Sequence, residues 1–343
     1  MKKSKPSIAS INVEKVKLGY LQVDQQPPLV IEPTSDDLDL VSWANDNQGL
    51  IESQLDTYGA LLFRGFKLPS PTTMLEQFAL TNCSDLFDDN GEHPREALGS
   101  KVYTPVFYPN DKKIFWHNEN SFNRRSPMRI WFCCLQPSEQ GGETPIVDSR
   151  EVYNLIDPEI RSEFEQKQIK YIRNYNPQLG LSWQKIFQTT DKKEVEEKCK
   201  DNLMSFEWKE GDRLQTTCIR PSVVKHPRTG EKSWFNQAQH WHLYFLDPIT
   251  REVFSSSFSE DELPRNCCYG DGSPIPDAVM EAVEKVYQKL EISFSWQKED
   301  ILMLDNILMA HARNPFVGER KLLVTMGKTF QYDHCTTAQD NAP

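Results

Sequence analysis

His117, Glu119 and His311 are residues of a type and spacing that could hold a metal ion with open sides. His117-Asn118-Glu119 is a His-x-Glu pair, and residues two apart share one face of an extended segment, so an imidazole and a carboxylate would converge on one point. His311 lies far downstream, and Arg320 follows it by nine residues. Two histidines and one carboxylate make the facial triad that suits a non-haem Fe(II) with open coordination positions. A bare His-x-Glu arises often by chance, so its weight depends on its surroundings. A second pair at the same spacing, His240 and His242, competes for the role. No nearby carboxylate completes a ligand set there, and Trp234, Phe235, Trp241, Tyr244 and Phe245 around it read as an aromatic wall over a pocket.

The elements that must carry these groups read mostly as strands. After His117 come Ile130, Trp131 and Phe132, a Gly141-Gly142 turn, then Thr144, Ile146 and Val147, a hairpin-rich pattern rather than a helical one. Val102–Pro109, with aromatic residues on alternate positions, predicts a strand that leads into the His117 segment and lines the pocket. Downstream, 170–176 and 214–227 read as strands, and 232–246 as a strand following a turn at Thr229-Gly230. Asp300 precedes a buried strand, His311 lies on the next element, and Gly318 opens the last strand with Arg320 at its start. Helices are expected from a Ser35-Asp36-Asp37 cap to Gly59, over 70–90, in two pieces around Pro158, and over 276–290.

The two ligand segments must meet, so a single barrel core with insertions accounts for the 343 residues better than a division between them. Residues 1–33 read as a proline-broken lead-in with at most an edge strand, 34–333 as one domain with an insertion at about 177–212 suited by position to be a lid, and 334–343 as a tail. A net charge of −11 without a basic tract argues against extended nucleic-acid contact. No apolar run is long enough for a membrane span and no apolar stretch follows the first lysines, so the expected location is cytoplasmic. The eight cysteines contain no C-x2-C pair and read as reduced structural thiols, with one of each adjacent pair, 133/134 and 267/268, buried.

Four segments taken in order, ALLFRGF (60–66), His117/Glu119, GGETPIVD (141–148) and His311 through Arg320, resemble the taurine dioxygenase-like (TauD/TfdA) family of Fe(II)/2-oxoglutarate-dependent oxygenases. The resemblance spans about residues 55–330 and implies an α+β fold with a double-stranded β-helix (jelly-roll, cupin-like) core and flanking helices. It also implies Fe(II) on His117, Glu119 and His311, with 2-oxoglutarate held by Arg320 and helped by Thr144. A planar guanidinium fork suits the distal carboxylate of that co-substrate. The implied reaction decarboxylates 2-oxoglutarate to succinate and CO2 with dioxygen and hydroxylates an unactivated C–H. Glu119 stands where the family more often has Asp, and it fills the position that a halogenase of this type leaves to chloride. RNYN (173–176), FNQAQHWH (235–242) and LPRNCCYGDGSP (263–274) resemble a sub-branch of natural-product pathways that hydroxylates amino acids, free or tethered to a carrier protein. Arg313 and Arg220 could each meet a substrate carboxylate or equally be structural, Asn236 and His240 are candidate substrate contacts, and Asn118 and Ser121 are candidates to support the ligands. The alternatives are desaturation, cyclisation or epoxidation with the same cofactors, and a barrel that binds a metabolite without turnover.

Overall fold

A computed structural model describes residues 11–13, 15–22, 25–87, 97–98, 101–176 and 182–332. The expected tail and 177–181 of the expected insertion lie outside the described residues. Seven strands form the main sheet, in the order Ile11–Val13, Val16–Gln22, Gln25–Pro33, Ala60–Phe63, Ile301–Asp305, Arg125–Gln136 and Lys321–Gln331. Side chains alternate along Arg125–Gln136, so Trp131 and Cys133 face one core while Ile130, Phe132 and Cys134 face another. Helices Leu40–Asp46, Gln48–Tyr58 and Pro71–Asn82 close the first face with Trp43, Leu55 and Phe78. Burying each such side chain contributes about 1.5–3 kcal/mol. On the second face, Ile146 and Met309 bring in a three-stranded sheet in the order Ile114–His117, Met309–Arg313, Ile146–Asp148. That small sheet sets His311 opposite His117 in register.

A four-stranded sheet, Ser205–Lys209, Arg213–Arg220, Ile169–Tyr175 and Arg265–Tyr269, stands beyond it. Pro158 separates helices Ser149–Leu155 and Pro158–Lys167 as expected, with Asp157 accepting from the Glu159 N–H. No helix among the described residues is long and apolar enough to cross a membrane.

Several expectations differ from the structure for local reasons. Gln25–Pro33 is an inner strand, antiparallel to Val16–Gln22 and parallel to Ala60–Phe63. The parallel pairing uses Leu29, Val30 and Ile31, past Pro27 and Pro28, so no missing N–H is asked of that neighbour. The helix expected up to Gly59 is two helices, capped first by Asp39, which accepts from the Ser42 N–H at 2.8 Å. Asn47 breaks it because its side chain takes the Trp43 carbonyl at 2.8 Å, in competition with the helical backbone. Val102–Pro109 contributes only isolated bridges at Tyr103, since Pro105 and Pro109 lack ladder donors. The strand expected through 246 ends at Trp234, where Asn236 accepts from the Ala238 N–H at 3.1 Å and starts the helix Ala238–Trp241. Both members of each adjacent cysteine pair are buried, because their strands are covered on both faces. Burial pushes the Cys133 and Cys134 thiols up to about 12, and no disulfide joins any of the seven described cysteines; Cys335 lies outside the described residues.

Candidate active site

Three segments converge between the main sheet and the three-stranded sheet. His117 ends its strand, Glu119 lies in the turn that follows rather than in extended chain, and His311 sits on the partner strand. The His117 Nδ1 lies 2.9 Å from the Phe115 carbonyl, which can only accept, so the proton sits on Nδ1 and the Nε2 lone pair is left to bind. Nε2 is 3.6 Å from Glu119 Oε2, and His311 Nε2 is 3.8 Å from the same oxygen. Ligands roughly 2.0–2.2 Å from one ion can stand no more than about 4.4 Å apart, so both separations fit a shared metal. Phe132, from the inner face of the main sheet, packs its ring 5.2 Å from that of His311. The donor set is nitrogen, nitrogen and a single carboxylate, with no thiolate, which fits Fe(II) with positions left open.

Asn306, in the turn between the strands Ile301–Asp305 and Met309–Arg313, clamps the acidic ligand. Its Oδ1 accepts from the Glu119 N–H at 2.7 Å, and its Nδ2 donates to the Glu119 and Pro127 carbonyls at 3.0 and 2.8 Å. Asn118 answers by donating to the Asn306 carbonyl at 2.8 Å and to Ser149 Oγ at 3.2 Å. The turn itself is fixed by Asp305, fully buried, which accepts from the N–H groups of Ile307 and Leu308 at 2.9 and 3.1 Å. Its second oxygen takes Arg129 and, at 3.0 Å, His226 Nε2, both buried. Burial alone would raise the Asp305 carboxyl, but Arg129 and the His226 hydrogen bond outweigh it and hold that carboxyl well below the usual range.

Arg320 reaches the same cavity from the start of the last strand. Its Nε donates to the Gly142 carbonyl at 2.7 Å and one terminal nitrogen to Thr144 Oγ1 at 3.3 Å. Thr144 Oγ1 also accepts from Trp296 Nε1 at 3.2 Å, so its own hydroxyl proton is left to donate. Burial, and then the nearby Arg313, push the Arg320 guanidinium down to about 10, an environment that an incoming carboxylate would relieve. The cavity has a volume of about 830 Å³, room for a dicarboxylate and a second small molecule. Glu119 is the one acid among its described lining residues, against Lys113, Arg173, Arg265, Arg313, Arg320 and Lys321. The chain as a whole is acidic, yet this interior is cationic.

His117, Glu119, His311, Thr144, Arg320, His240 and Arg313 all line this cavity. His240 donates its Nε2–H to the Phe115 carbonyl at 2.8 Å, with its ring 4.2 Å from that of His117; His242 is tied to the Ile275 carbonyl at 2.9 Å and belongs to no metal-ligand cluster among the described residues. Arg313 gives donors to the Tyr108 and Lys112 carbonyls at 3.0 and 2.6 Å, which holds the 108–112 loop. Arg220 and Asn236 are not on the cavity wall. Arg220 donates to the Phe122 carbonyl at 3.0 Å and Asn236 to that of Ser222 at 3.1 Å, both buried in main-chain contacts. Ser121 is buried and accepts through its carbonyl from the Tyr332 hydroxyl. Sequence reasoning missed Asn306 and the role of Phe132; the first has its partner 187 residues away, and no local pattern marks it.

The model of the family described as "Taurine catabolism dioxygenase TauD, TfdA family" matches residues 23–326. The dapdiamide synthesis protein DdaC of Enterobacter agglomerans is 38% identical over 276 residues, covering 80% of this chain and 84% of that protein. A clavaminate synthase-like protein of Arabidopsis thaliana is 27% identical over 288 residues, covering 81% and 84%. Among solved structures, the PvcB protein of Pseudomonas aeruginosa superposes with a TM-score of 0.55 at 14% identity, covering 94% of each chain. AAD-2, solved with Mn(II) and N-oxalylglycine, gives 0.52 at 14% identity over 94% of this chain and 97% of that one. With nearly the whole described chain inside the family match, a relative of this identity and a facial triad at its centre, the protein belongs to the TauD/TfdA family of Fe(II)/2-oxoglutarate-dependent dioxygenases.

Proposed function

We propose that this dioxygenase hydroxylates an unactivated C–H of a small amino-acid-like substrate, free or carried on a carrier protein, with succinate and CO2 as co-products. The observation that carries the reading is the convergence of His117, Glu119 and His311 in a cationic cavity that also holds Arg320 and Thr144. Bound Fe(II) and 2-oxoglutarate would supply the oxidising power for attack on C–H. His117, Glu119 and His311 hold the iron, and Asn118, Ser121 and Asn306 keep the turn that carries Glu119 from moving. Arg320 grips the far carboxylate of 2-oxoglutarate and the Thr144 hydroxyl donates to it. Phe132 and the aromatic wall around Trp241 exclude water from the reacting carbon. His240 and Arg313 meet the substrate side of the cavity. Arg220 and Asn236, bonded to main chain elsewhere, serve the scaffold instead.

In this reading the main and three-stranded sheets are the two walls of a double-stranded β-helix, 34–333 is one catalytic domain, 182–212 belongs to an insertion that acts as its lid, and the enzyme works in the cytoplasm. DdaC's name places that relative in the synthesis of dapdiamide, which supports a natural-product setting and an amino-acid-like substrate. The test is succinate formation dependent on Fe(II) and 2-oxoglutarate, with amino acids screened free and carrier-bound, and products weighed by mass spectrometry. A gain of one oxygen as an exchangeable hydroxyl supports hydroxylation, and the same gain at the expense of a carbon–carbon double bond supports epoxidation. A loss of two hydrogens transfers the assignment to desaturation or ring closure, and no succinate from folded protein supports a non-catalytic binder.

A further inference from the structure

The cavity has two unlike ends, set by the order of the three-stranded sheet. Met309–Arg313, which carries His311, lies in the middle, with Ile146–Asp148 along one side of it and Ile114–His117 along the other. Thr144 stands just ahead of Ile146–Asp148 and accepts from Arg320 at 3.3 Å, so the pair that suits 2-oxoglutarate belongs to that side. The opposite side is apolar. Phe115 precedes His117 by two residues on one strand, so both side chains take the same face, and both line the cavity. The Phe115 ring packs edge-on against that of Phe245, with centroids 4.9 Å apart. Phe122 and Trp241, with centroids 5.3 Å apart, form the floor from within the core, and Leu246 and Phe254 complete the lining. Phe115, Phe245, Leu246 and Phe254 are only half-buried. Phe254 comes from the helix Pro248–Ser257, which buries none of its residues and turns Ile249 and Val253 outward at 76% and 51% exposure. That helix is fastened by Asp247, which accepts from the Thr250 N–H at 3.1 Å, and by the Arg251–Asp277 ion pair. Among the described residues Phe254 belongs to no core cluster, so packing of the fold does not account for an aromatic residue there.

Half-buried rings on a cavity wall are surface still to be taken out of water, and a ligand with apolar surface of its own does that. A charged or small polar side chain would leave the rings wet and lose its own hydration among them. An aryl or branched alkyl group fills the chamber, and a ring can join the edge-on packing already made by Phe115 and Phe245. At about 830 Å³ the cavity is of the size that holds a drug-sized ligand, more than 2-oxoglutarate and a glycine or alanine would fill. We propose that Phe115, Phe245, Leu246 and Phe254 form a side-chain subsite, so that the substrate is an amino-acid-like acid bearing a bulky apolar group, aryl or branched alkyl, rather than a small or polar one. The subsite rests on the oxygenase reading of the cavity and narrows its substrate class.

The test uses the full chain with Fe(II), 2-oxoglutarate and ascorbate and follows substrate-stimulated succinate release. The substrates are glycine, alanine, serine, valine, leucine, phenylalanine and tryptophan, each free and as its N-acetylcysteamine thioester, a mimic of the carrier-bound form. The best of leucine, phenylalanine and tryptophan should exceed alanine and serine in the same form by about tenfold or more in kcat/KM, since even one methylene in an apolar pocket is worth about that. The ratio of tryptophan to leucine in kcat/KM should rise about tenfold in Phe254→Ala, which widens the chamber, and fall about tenfold in Phe254→Trp, which narrows it. A purely structural role for Phe254 would lower all substrates together and leave that ratio alone. The helix buries none of its residues, so both variants should fold and melt with the parent, and Leu246→Trp narrows the same chamber as an independent check. Alanine or serine performing as well, no stimulation by any member, or a ratio within about twofold of the parent in either variant at 254 would each overturn the subsite. Slow succinate release by the unaltered enzyme without substrate reports on the oxygenase reading by itself. Its presence with no preference for apolar side chains sinks the subsite alone, and a complete absence of succinate under every condition sinks the parent reading and the subsite with it.

Discussion

Asn306→Ala should weaken Fe(II) binding about 10- to 100-fold, although residue 306 touches no metal. The alanine removes three hydrogen bonds, from the Glu119 N–H at 2.7 Å and to the Glu119 and Pro127 carbonyls at 3.0 and 2.8 Å. At about 0.5–1.5 kcal/mol net for each, the clamp contributes on the order of 1.5–4.5 kcal/mol. Part of that is lost to folding, and part to the freedom Glu119 gains before it meets iron. A share of about 1.4–2.7 kcal/mol falling on metal binding gives the stated range, since about 1.4 kcal/mol is tenfold. The assay is an anaerobic Fe(II) titration, with Mn(II) as a check, at a temperature well below the melting point of the metal-free variant. A correctly folded Asn306→Ala protein that binds Fe(II) within about twofold of the parent would refute the claim that the clamp orients the ligand.

Arg320→Ala should raise the KM for 2-oxoglutarate by about 10- to 100-fold while Fe(II) binding changes little, and Arg320→Lys should recover only part, since an ammonium lacks the paired donors; steady-state kinetics decide, and an unchanged KM would move the role to another residue. Gly142→Ala should have a milder effect of the same kind: at φ +73° its Cβ would sit 2.4 Å from Ser138 Oγ and 3.0 Å from Arg320 Cδ. The left-handed backbone adds about 1–2 kcal/mol of strain, readable as a lower melting temperature, and a variant equal to the parent in both stability and KM would contradict it. Because the folded Asp305 carboxyl lies below its unfolded value of about 3.9, its stabilisation is full above that pH and is lost as pH falls through the folded value. Urea unfolding from pH 7 to pH 3 should therefore show an acid limb that is flatter in Asp305→Asn, with the variant about 3–5 kcal/mol less stable at pH 7 because Arg129 loses its buried partner; equal stability there would count against the network.

The parts of the site that sequence made legible are those whose chemistry is local or whose order along the chain matches a family. His117 and Glu119 announce themselves by spacing, and GGETPIVD and the His311–Arg320 stretch by resemblance. What could not be read is what depends on contact at long range. Asn306 looks like an ordinary turn residue until the chain brings Glu119 to it, and nothing in 237–242 separates a Gln237 bonded to the Asn118 carbonyl from a Gln239 that lines the cavity. Arg220 has the right type and the wrong place, since its guanidinium is held by the Phe122 carbonyl. In the fold, residues rich in β-branched and aromatic side chains predicted a strand through 246, but Asn236 turns the backbone with its own side chain and a short helix follows. The adjacent cysteines misled for a different reason: alternation along a strand says which faces side chains take, not whether each face is covered.

One ferrous ion is proposed to sit on His117, Glu119 and His311. Anaerobic equilibrium dialysis with metal analysis tests it most directly, on the parent and on His117→Ala, Glu119→Ala and His311→Ala. One Fe(II) per chain is expected in the parent, with loss of tight binding in each folded variant. Stoichiometric tight binding that survives in any one of the folded variants would contradict it.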